Sequence, residues 1–273
     1  MKKEEKFNKI VKDIKSVKIQ GANNIAKAAL YAYSLLKTKK AKEKLISARP
    51  TEPLLFNTIE YFTSGKMSYS AILNHFSYVQ DKINKKVFSL IKDNDVIMTY
   101  CHSTAVVKAL IYSKKHGKKF EVYNLETRPL FQGRKTALEL SKAGIKVTMF
   151  LDNAVNSIFD KEQGIKKVNK VFLGADAILL KYVINKIGSD MITKLAYYHK
   201  IPVYILADSW KYYPHKIKIE KRNINEIWNR APKNIKIKNP SFELIEKKYI
   251  KAIISEYGIL SYDKFLEKVA KKN

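Results

Sequence analysis

The stretch from Asp95 to Pro129 constrains the fold of this chain more than any other. An apolar run ends at Cys101-His102-Ser103, a helix-like segment ends at Gly117, and a second apolar run ends at Glu126-Thr127-Arg128-Pro129. Strand, helix and strand in this order predict a βαβ unit with parallel strands and a right-handed crossover. Because ligands bind beyond the carboxyl ends of such strands, we expect the chemistry at these two polar clusters.

Apolar runs of strand length continue to alternate with helix-like segments after this unit. Since the runs are nearly continuous in apolar residues, they predict a parallel sheet that is covered by helices on both faces. Gly117 and Gly144 follow helix-like segments at the position of a helix C-cap. The predicted strands read DVIMTYC, FEVYNLE, KVTMFLD, KVFLGAD, VINKI and PVYILADS.

The residues before Asp95 follow a helical period instead, and we expect one helix over 25–46 and a long one over about 70–92. We therefore predict an α/β protein. Its N-terminal helical domain spans residues 1–92, and a Rossmann-like parallel sheet domain flanked by helices spans residues 93–273. The second domain is expected to carry most of the active site.

The C-terminal part is less regular. Residues 214–239 are rich in Lys and Asn and predict an irregular connection. Residues 247–258 and 262–272 have the pattern of two amphipathic helices.

The net charge of +28 has two interpretations, because the lysines are scattered along the whole chain. The first is a residue bias on solvated faces, and the second is a polyanionic partner such as RNA. Only five of the 53 basic residues are Arg, which is the side chain preferred for bidentate recognition. We favour the residue bias, and in either case expect non-specific binding of nucleic acid at low salt.

Several features indicate a cytoplasmic protein. The single Cys rules out an intrachain disulfide and fits a reducing compartment. No run approaches the ~18 apolar residues that a membrane helix needs. The N-terminus carries acids among its lysines and lacks the apolar region of a signal peptide.

Two residues at predicted strand ends have side chains suited to proton transfer. Cys101 precedes a predicted helix N-terminus, which lowers the pKa of a thiol and attracts anions. Asp176, in Gly174-Ala175-Asp176, ends another strand. A thiol and a carboxylate in one crevice suit proton shuttling on a sugar. The alternatives are a small core residue for Cys101 and a helix cap for Asp176.

The other candidates have weaker signals. Lys186, Arg128, Arg49 and Lys211 are cations that could hold phosphate. We interpret His102 as a lining residue, since neighbours at a strand end point to opposite faces. The five His and one Cys show no metal-ligand spacing, so no metal site is predicted. Asp152-Asn153 and Asp208-Ser209 are interpreted as helix caps or crevice-shaping residues.

The motifs together resemble one superfamily. It comprises the initiation factor 2B alpha, beta and delta subunits, the methylthioribose-1-phosphate isomerases and the archaeal ribose-1,5-bisphosphate isomerases. The resemblance extends over nearly the whole chain, through GANNIAKAA, ARPT and NPSFELIEKKYIKAIISEYG. The motifs at strand ends are Cys101-x-Ser103, Glu126-Thr127-Arg128-Pro129 with Gln132-Gly133, Gly174-Ala175-Asp176 and Asn185-Lys186-Ile187-Gly188.

The resemblance implies an isomerase that converts ribose 1,5-bisphosphate to ribulose 1,5-bisphosphate, in AMP metabolism. It implies Cys101 and Asp176 as the catalytic residues, no metal or nucleotide cofactor, and a homodimer or homohexamer. The substrate-binding residues that it implies are Gly21, Ala22, Arg49, Ser103, Arg128, Gln132, Asn185, Lys186 and Lys211.

A second function stays open. The chain departs from the isomerases at Gln20, where they usually have Arg, at His102, where they usually have Asn, and in a shorter segment at 179–182. Gln20, the altered segment and the charge of +28 favour a non-catalytic initiation-factor-2B-like subunit that binds initiation factor 2 and a regulatory nucleotide or sugar phosphate. Retention of Cys101 and Asp176 favours the isomerase.

Overall fold

The computed structural model describes residues 2–160, 164–220 and 222–271. Five helices precede the first strand: α1 (Lys3–Lys15), α2 (Ala22–Leu36), α3 (Lys39–Ala48), α4 (Pro53–Thr63) and α5 (Tyr69–Leu90). The single helix predicted over 25–46 is wrong, because the chain turns between α2 and α3. The Thr38 side chain accepts a hydrogen bond from the Ala41 amide there and caps α3, which starts a new helix.

The rest of the chain alternates strands with helices. The helices are α6 (Thr104–Lys115), α7 (Gln132–Lys142), α8 (Val155–Asp160), α9 (Ser189–Tyr198) and α10 (Tyr262–Ala270). The strands are β1 (Asp95–Thr99), β2 (Phe120–Leu125), β3 (Lys146–Phe150), β4 (Lys170–Leu173), β5 (Ala177–Ile178), β6 (Tyr182–Lys186), β7 (Val203–Leu206), β8 (Phe242–Glu246), β9 (Ala252–Ser255) and β10 (Gly258–Leu260).

Seven of these strands form one sheet, in the order β10-β9-β7-β4-β1-β2-β3. All neighbours are parallel except β9 and β10. Counted in chain order, the six parallel strands have the order 3-2-1-4-5-6, which is that of the Rossmann fold. The predicted α/β fold with a Rossmann-like sheet is confirmed. A smaller antiparallel sheet, β5-β6-β8, lies beside it.

The helices before the sheet contribute to more than one buried cluster. Side chains of α1 to α4, such as Phe7, are buried in one cluster. Phe76 in the N-terminal half of α5 is buried with Leu54 of α4 in a second cluster. The C-terminal half of α5 packs against α6 and the sheet, where Val87 and Leu110 belong to the same cluster. This long helix therefore joins the helical segment to the sheet. The domain boundary at residue 92 stays a prediction.

The C-terminal segment differs from the prediction in one respect. Residues 262–272 were expected to be helical, and α10 covers most of them. The helix predicted over 247–258 is wrong, because residues 252–255 extend the sheet as β9, parallel to β7. The irregular connection predicted over 214–239 is found in the described residues 214–220 and 222–239, apart from a short 3₁₀ helix, Ile224–Glu226; Lys221 lies outside the described residues. No helix in the described ranges is long and apolar enough to span a membrane.

Candidate active site

The carboxyl ends of β1 and β4 meet at the point where the strand order reverses. Strands β2 and β3 lie on one side of this point, and β7 and β9 on the other. A crevice opens at such a switch point, and ligands bind there. Cys101 follows β1 and Asp176 follows β4, so the two predicted catalytic residues lie at the same crevice.

One cavity at this crevice is lined by nearly all of the predicted site residues. The side chain of Arg128 is the exception: its guanidinium group lies 5.0 Å from the centroid of the Phe131 ring and faces the Ile227 carbonyl. The predicted residues that line the cavity are Gly21, Ala22, Arg49, Cys101, Ser103, Gln132, Asp176, Asn185, Lys186 and Lys211.

The loop after β1 holds Cys101 in a conformation that L-residues rarely adopt. Its φ is 62°, in the left-handed region where non-glycine residues are uncommon. Its amide donates to Thr127 Oγ1 at 3.1 Å, and its carbonyl accepts from Thr136 Oγ1 at 2.7 Å. The amide and the carbonyl of Cys101 are therefore both fixed, and they hold the residue in the wall of the cavity. Strained residues of this kind cluster at functional sites.

The thiol of Cys101 is protonated at neutral pH. Burial raises its pKa to about 11, while the ammonium group of Lys186 acts in the opposite direction. The lowered pKa expected from the helix N-terminus is therefore wrong, because desolvation outweighs both the nearby cation and the backbone hydrogen bond. A protonated thiol is suited to donate a proton, and less suited to act as a ready nucleophile.

The loop after β4 approaches the loop after β1 through Gly174. A Cβ at this position would lie 2.5 Å from Ser103 Oγ, so only glycine allows this contact. The Asp176 amide then donates to the Ile184 carbonyl at 2.8 Å and fixes the residue beside the small sheet. Burial raises the pKa of the Asp176 carboxyl, against the influence of Lys211 and Arg49.

Four cations line the cavity, and three of them have partners. Arg49 donates to Glu220, Lys211 donates to the Ala175 carbonyl, and Arg222 pairs with Glu226. The fourth is Lys186, whose residue is only 7% exposed. Among the described residues, its ammonium group has no hydrogen-bond or ion-pair partner. Its charge lowers the pKa of both Cys101 and Asp176, which line the same cavity.

Two helices direct their N-termini at the cavity. The Gly21 that precedes α2 supplies no side-chain cap, so the first amides of this helix are open to a ligand. Ser103 caps α6. A Cβ on Gly21 would lie 3.4 Å from Thr104 Oγ1, which shows that the two N-termini adjoin. Helix N-termini attract phosphate through free amides and the helix dipole.

Several buried polar atoms at the cavity lack partners. Buried polar atoms are normally hydrogen-bonded, so such a concentration at one cavity indicates a ligand site. The atoms without a hydrogen-bond partner among the described residues that belong to cavity-lining residues are Glu52 Oε1, Gln132 Oε1, Asp208 Oδ2 and Ser241 Oγ.

Several lining residues were not predicted. Glu220 and Arg222 come from the irregular segment over 214–239, which has no periodicity that could reveal their position. Glu52 follows Arg49 by three positions, and this proximity to a candidate cation was the only available signal. Asp208 was interpreted as a cap or crevice-shaping residue, and it is both: its Oδ1 accepts from the Trp210 amide at 2.9 Å, and the residue lines the cavity.

Two of the positions at which the sequence departs from the isomerases differ in their relation to the cavity. His102 lines the cavity as predicted, and its Nδ1 lies 3.0 Å from Thr136 Oγ1. Since Thr136 already donates to the Cys101 carbonyl, His102 Nδ1 carries the proton in this bond. The segment 179–182 forms the tight connection from β5 to β6 and does not line the cavity.

The chain is similar to known proteins over most of its length. The model of the Initiation factor 2 subunit family matches residues 18–262. The ribose 1,5-bisphosphate isomerase of Thermococcus kodakarensis is 32% identical, over 92% of this chain and 89% of its own length. The methylthioribose-1-phosphate isomerase of Thermosipho africanus is 30% identical, over 96% and 89%. The structure of translation initiation factor eIF-2B from Pyrococcus horikoshii superposes with a TM-score of 0.82 over 93% of this chain and 96% of that one; at 24% identity it supports the fold alone.

Proposed function

The chain belongs to the initiation factor 2 subunit family, and on that premise we propose that it is a sugar-phosphate aldose–ketose isomerase. Relatives at 32% and 30% identity bear the names of such isomerases and support the reaction class. Within that class we assign the conversion of ribose 1,5-bisphosphate to ribulose 1,5-bisphosphate, in keeping with the name of the first of these relatives.

One observation carries the proposal: a protonated thiol and a partly buried carboxyl group lie at the switch point of the sheet. An aldose with phosphate on C1 is locked as a ring, so the ring oxygen must receive a proton when the C1–O bond breaks. Cys101, with a pKa of about 11, holds that proton at neutral pH, and burial raises the pKa of Asp176 and so favours its protonated form.

The remaining steps balance without a redox partner. Ring opening turns the ring oxygen into the C4 hydroxyl. The hydrogen on C2 moves to C1, which then carries two hydrogens, and the C2 hydroxyl loses its proton as the C2 carbonyl forms. We assign these proton movements jointly to Cys101 and Asp176. Because substrate and product are isomers, the reaction requires no external oxidant, and we expect no metal or nucleotide cofactor.

The phosphate groups have suitable partners in the cavity. The amides after Gly21 and Ser103 belong to two helix N-termini, which favour anions. Lys186 supplies a cation that has no partner among the described residues, and Arg49 and Lys211 line the same cavity. The amide side chains of Gln132 and Asn185 can bind sugar hydroxyls. The Arg128 side chain lies outside the cavity, so we assign it no ligand contact.

A non-catalytic role is the second candidate. The observation in its favour is that Arg49, a cation needed for a second phosphate, is held by Glu220 at 3.1 Å. In this alternative, the chain is an initiation-factor-2B-like subunit that binds initiation factor 2, and the cavity holds a regulatory nucleotide or sugar phosphate.

In either role we propose a homodimer or homohexamer. The edge strand β3 and its neighbourhood present large apolar side chains to solvent: Leu138 is 56% exposed, Met149 46% and Leu151 64%. Apolar side chains grouped at a sheet edge favour burial against another subunit. The expected salt-dependent binding of nucleic acid stays a prediction from the charge of +28.

The decisive experiment is turnover of ribose 1,5-bisphosphate, with the wild type compared with Cys101→Ser and Asp176→Asn. We expect each substitution to lower kcat by at least about 100-fold, the usual contribution of an acid–base residue. Asp263→Asn, at an exposed carboxylate that pairs with Lys247, is the matched control and should keep full activity. A folded wild type that binds the substrate without converting it would exclude this isomerase activity and favour the second role.

A further inference from the structure

Two carboxylates hold Arg49, a cavity-lining cation. Its Nε donates to Glu220 Oε2 at 3.1 Å, and one of its terminal nitrogens lies 4.0 Å from Glu52 Oε2. Arg49 is 7% exposed and Glu52 1%, so little water screens these interactions. A phosphate group that reaches Arg49 therefore meets a guanidinium whose charge is already engaged.

Glu52 is the more unusual of the two carboxylates. It occupies the N-cap position of α4, but its side chain accepts no capping hydrogen bond. Its Oε2 faces Arg49, and its Oε1 has no hydrogen-bond partner in the described part of the chain. Glu52 also lines the cavity together with Asp176. This carboxyl group therefore lies where ligand phosphate would bind.

The charged groups around Glu52 come from four parts of the fold. Arg49 lies before α4, Asp176 after β4, Lys211 in the 3₁₀ helix Ser209–Lys211, and Glu220 in the irregular segment. Burial raises the pKa of Glu52 to about 8; Asp176 and Glu220 add to this effect, and Lys211 and Arg49 oppose it. Glu52 therefore changes its charge within the pH range in which enzymes are normally assayed.

We propose that Glu52 is a specificity-determining residue, which sets the affinity for phosphorylated ligands by competing with the ligand phosphate for Arg49. This inference rests on the proposed function only for the class of ligand. Arginine binds phosphate best through two parallel N–H donors. While Glu52 is neutral, Arg49 has only Glu220 as a charged partner and is free to turn one edge to the ligand. Once Glu52 ionises, it attracts Arg49 and so competes with the phosphate for this guanidinium group.

This competition predicts a dependence on pH. A carboxyl group with a pKa near 8 is roughly 10% ionised at pH 7 and roughly 90% at pH 9. The second ionisation of a phosphate monoester is complete well below this range, because its pKa is ~6. The ligand charge is therefore constant between pH 7.5 and 9.5. Weaker binding at the upper end of that pH interval therefore reflects ionisation of a group on the protein and not of the ligand.

The test compares the wild type with Glu52→Gln, which has nearly the same shape and no charge. The matched control is Glu60→Gln, on the same helix, at an exposed side chain that pairs with Lys42. Calorimetry with ribose 5-phosphate, a stable sugar phosphate, measures binding without turnover. We expect the wild-type and Glu60→Gln Kd values to rise about tenfold from pH 7.5 to 9.5, and that of Glu52→Gln to stay nearly constant, since one ion-pair competitor is worth ~1.4 kcal/mol.

A second variant tests whether the effect acts through Arg49. In the Arg49→Gln background, Glu52→Gln should no longer change the pH dependence, because the contested cation is gone. If Glu52→Gln still changes the pH dependence of Kd in the Arg49→Gln background, the competition for Arg49 is overturned. Glu52 would then act by repelling the ligand phosphate directly. Equal Kd values for the wild type and Glu52→Gln at pH 9.5 would overturn the role of Glu52. Both outcomes are read from binding, so they are independent of whether the wild type turns over ribose 1,5-bisphosphate.

Discussion

A Cβ placed on Gly174 would lie 2.5 Å from Oγ and 2.7 Å from Cβ of Ser103. These two residues belong to the loops after β4 and β1, which carry Asp176 and Cys101. Gly174→Ala must therefore push the loops apart. We expect a loss of stability of about 1–3 kcal/mol, as for other over-packed sites, and a loss of activity of about 100-fold, because small displacements of reacting groups cost this much.

Rescue by a second substitution distinguishes this contact from a general loss of folding. Ser103→Gly removes both atoms that the new Cβ would meet, so Gly174→Ala/Ser103→Gly should regain stability in thermal unfolding. Ser103→Gly alone should cost only a few tenths of a kcal/mol as an N-cap change. If the double variant is no more stable than Gly174→Ala, then the contact is not the cause.

The α/β fold could be predicted because central strands such as β1 and β4 are buried along their whole length and α6 and α7 are followed by Gly117 and Gly144. The error at residues 247–258 has a physical reason. Ile250, Ile253, Ile254 and Tyr257 have helical spacing, but the run from 252 to 255 is also a short buried strand. Periodicity cannot separate these possibilities. Pairing with β7 decides between them, and that contact lies almost fifty residues away along the chain.

From local pattern alone, the candidate site could be predicted where a residue follows a strand; Gly21, Ala22 and Gln132 were predicted from the resemblance instead. Cys101, Asp176 and Lys186 each lie at or just after a strand end, and strand ends are visible in the sequence. Glu220 comes from a segment with no regular structure, which Thr51 holds by accepting from the Glu220 amide at 3.1 Å. Contacts of this kind leave no local pattern. The balance of charge around Arg49 therefore required the structure.

The raised pKa of the Cys101 thiol predicts slow alkylation at neutral pH. Only the thiolate reacts, so the rate with iodoacetamide should rise nearly tenfold per pH unit from pH 7 to about 10. Cys101 is the only cysteine in the chain, so intact-protein mass spectrometry reports on this site alone. A rate that levels off near pH 8 would show an acidic thiol and contradict the role of a protonated donor.

Substitution of Lys186 tests how its charge affects the alkylation rate of Cys101. Its ammonium group lowers the thiol pKa against the effect of burial. Lys186→Met should therefore slow alkylation further at a given pH. Lys181→Met, at an exposed position nearby in sequence, should leave the rate unchanged. Faster alkylation of Lys186→Met would show that the side chain shields the thiol rather than acting through its charge.

The ionisation of Glu52 also makes the stability of the fold depend on pH. Its pKa is raised from 4.5 to about 8, so between these values the folded state binds more protons than the unfolded state. Stability must then fall as the pH rises through this window. Glu52→Gln cannot ionise and lacks this loss. Thermal unfolding should show similar Tm values for the two proteins at pH 5 and a higher Tm for the variant at pH 9. An equal Tm difference at both pH values would contradict the raised pKa.

The buried ion pair of Lys170 with Asp95 predicts a loss of stability without a loss of catalysis. The two residues begin β4 and β1, at the end of the sheet opposite to the cavity, and are 8% and 5% exposed. Asp95 Oδ2 also accepts from the Lys92 amide at 2.7 Å. Lys170→Met leaves the carboxylate buried without its cation and should lower the free energy of unfolding by about 3–5 kcal/mol.

A variant in which both partners are neutral distinguishes the contribution of the ion pair to stability from that of the packing around it. Lys170→Met/Asp95→Asn should regain most of the lost stability in urea denaturation, because the desolvated charge is then gone. Lys247→Met, which breaks an exposed pair with Asp263, should cost less than about 1 kcal/mol. At a temperature where each variant is folded, kcat should match the wild type. The reason is that Cys101 and Asp176 follow the carboxyl ends of β1 and β4, whereas the ion pair lies at their amino ends. A double variant as unstable as Lys170→Met would show that the lysine stabilises the sheet through its aliphatic chain.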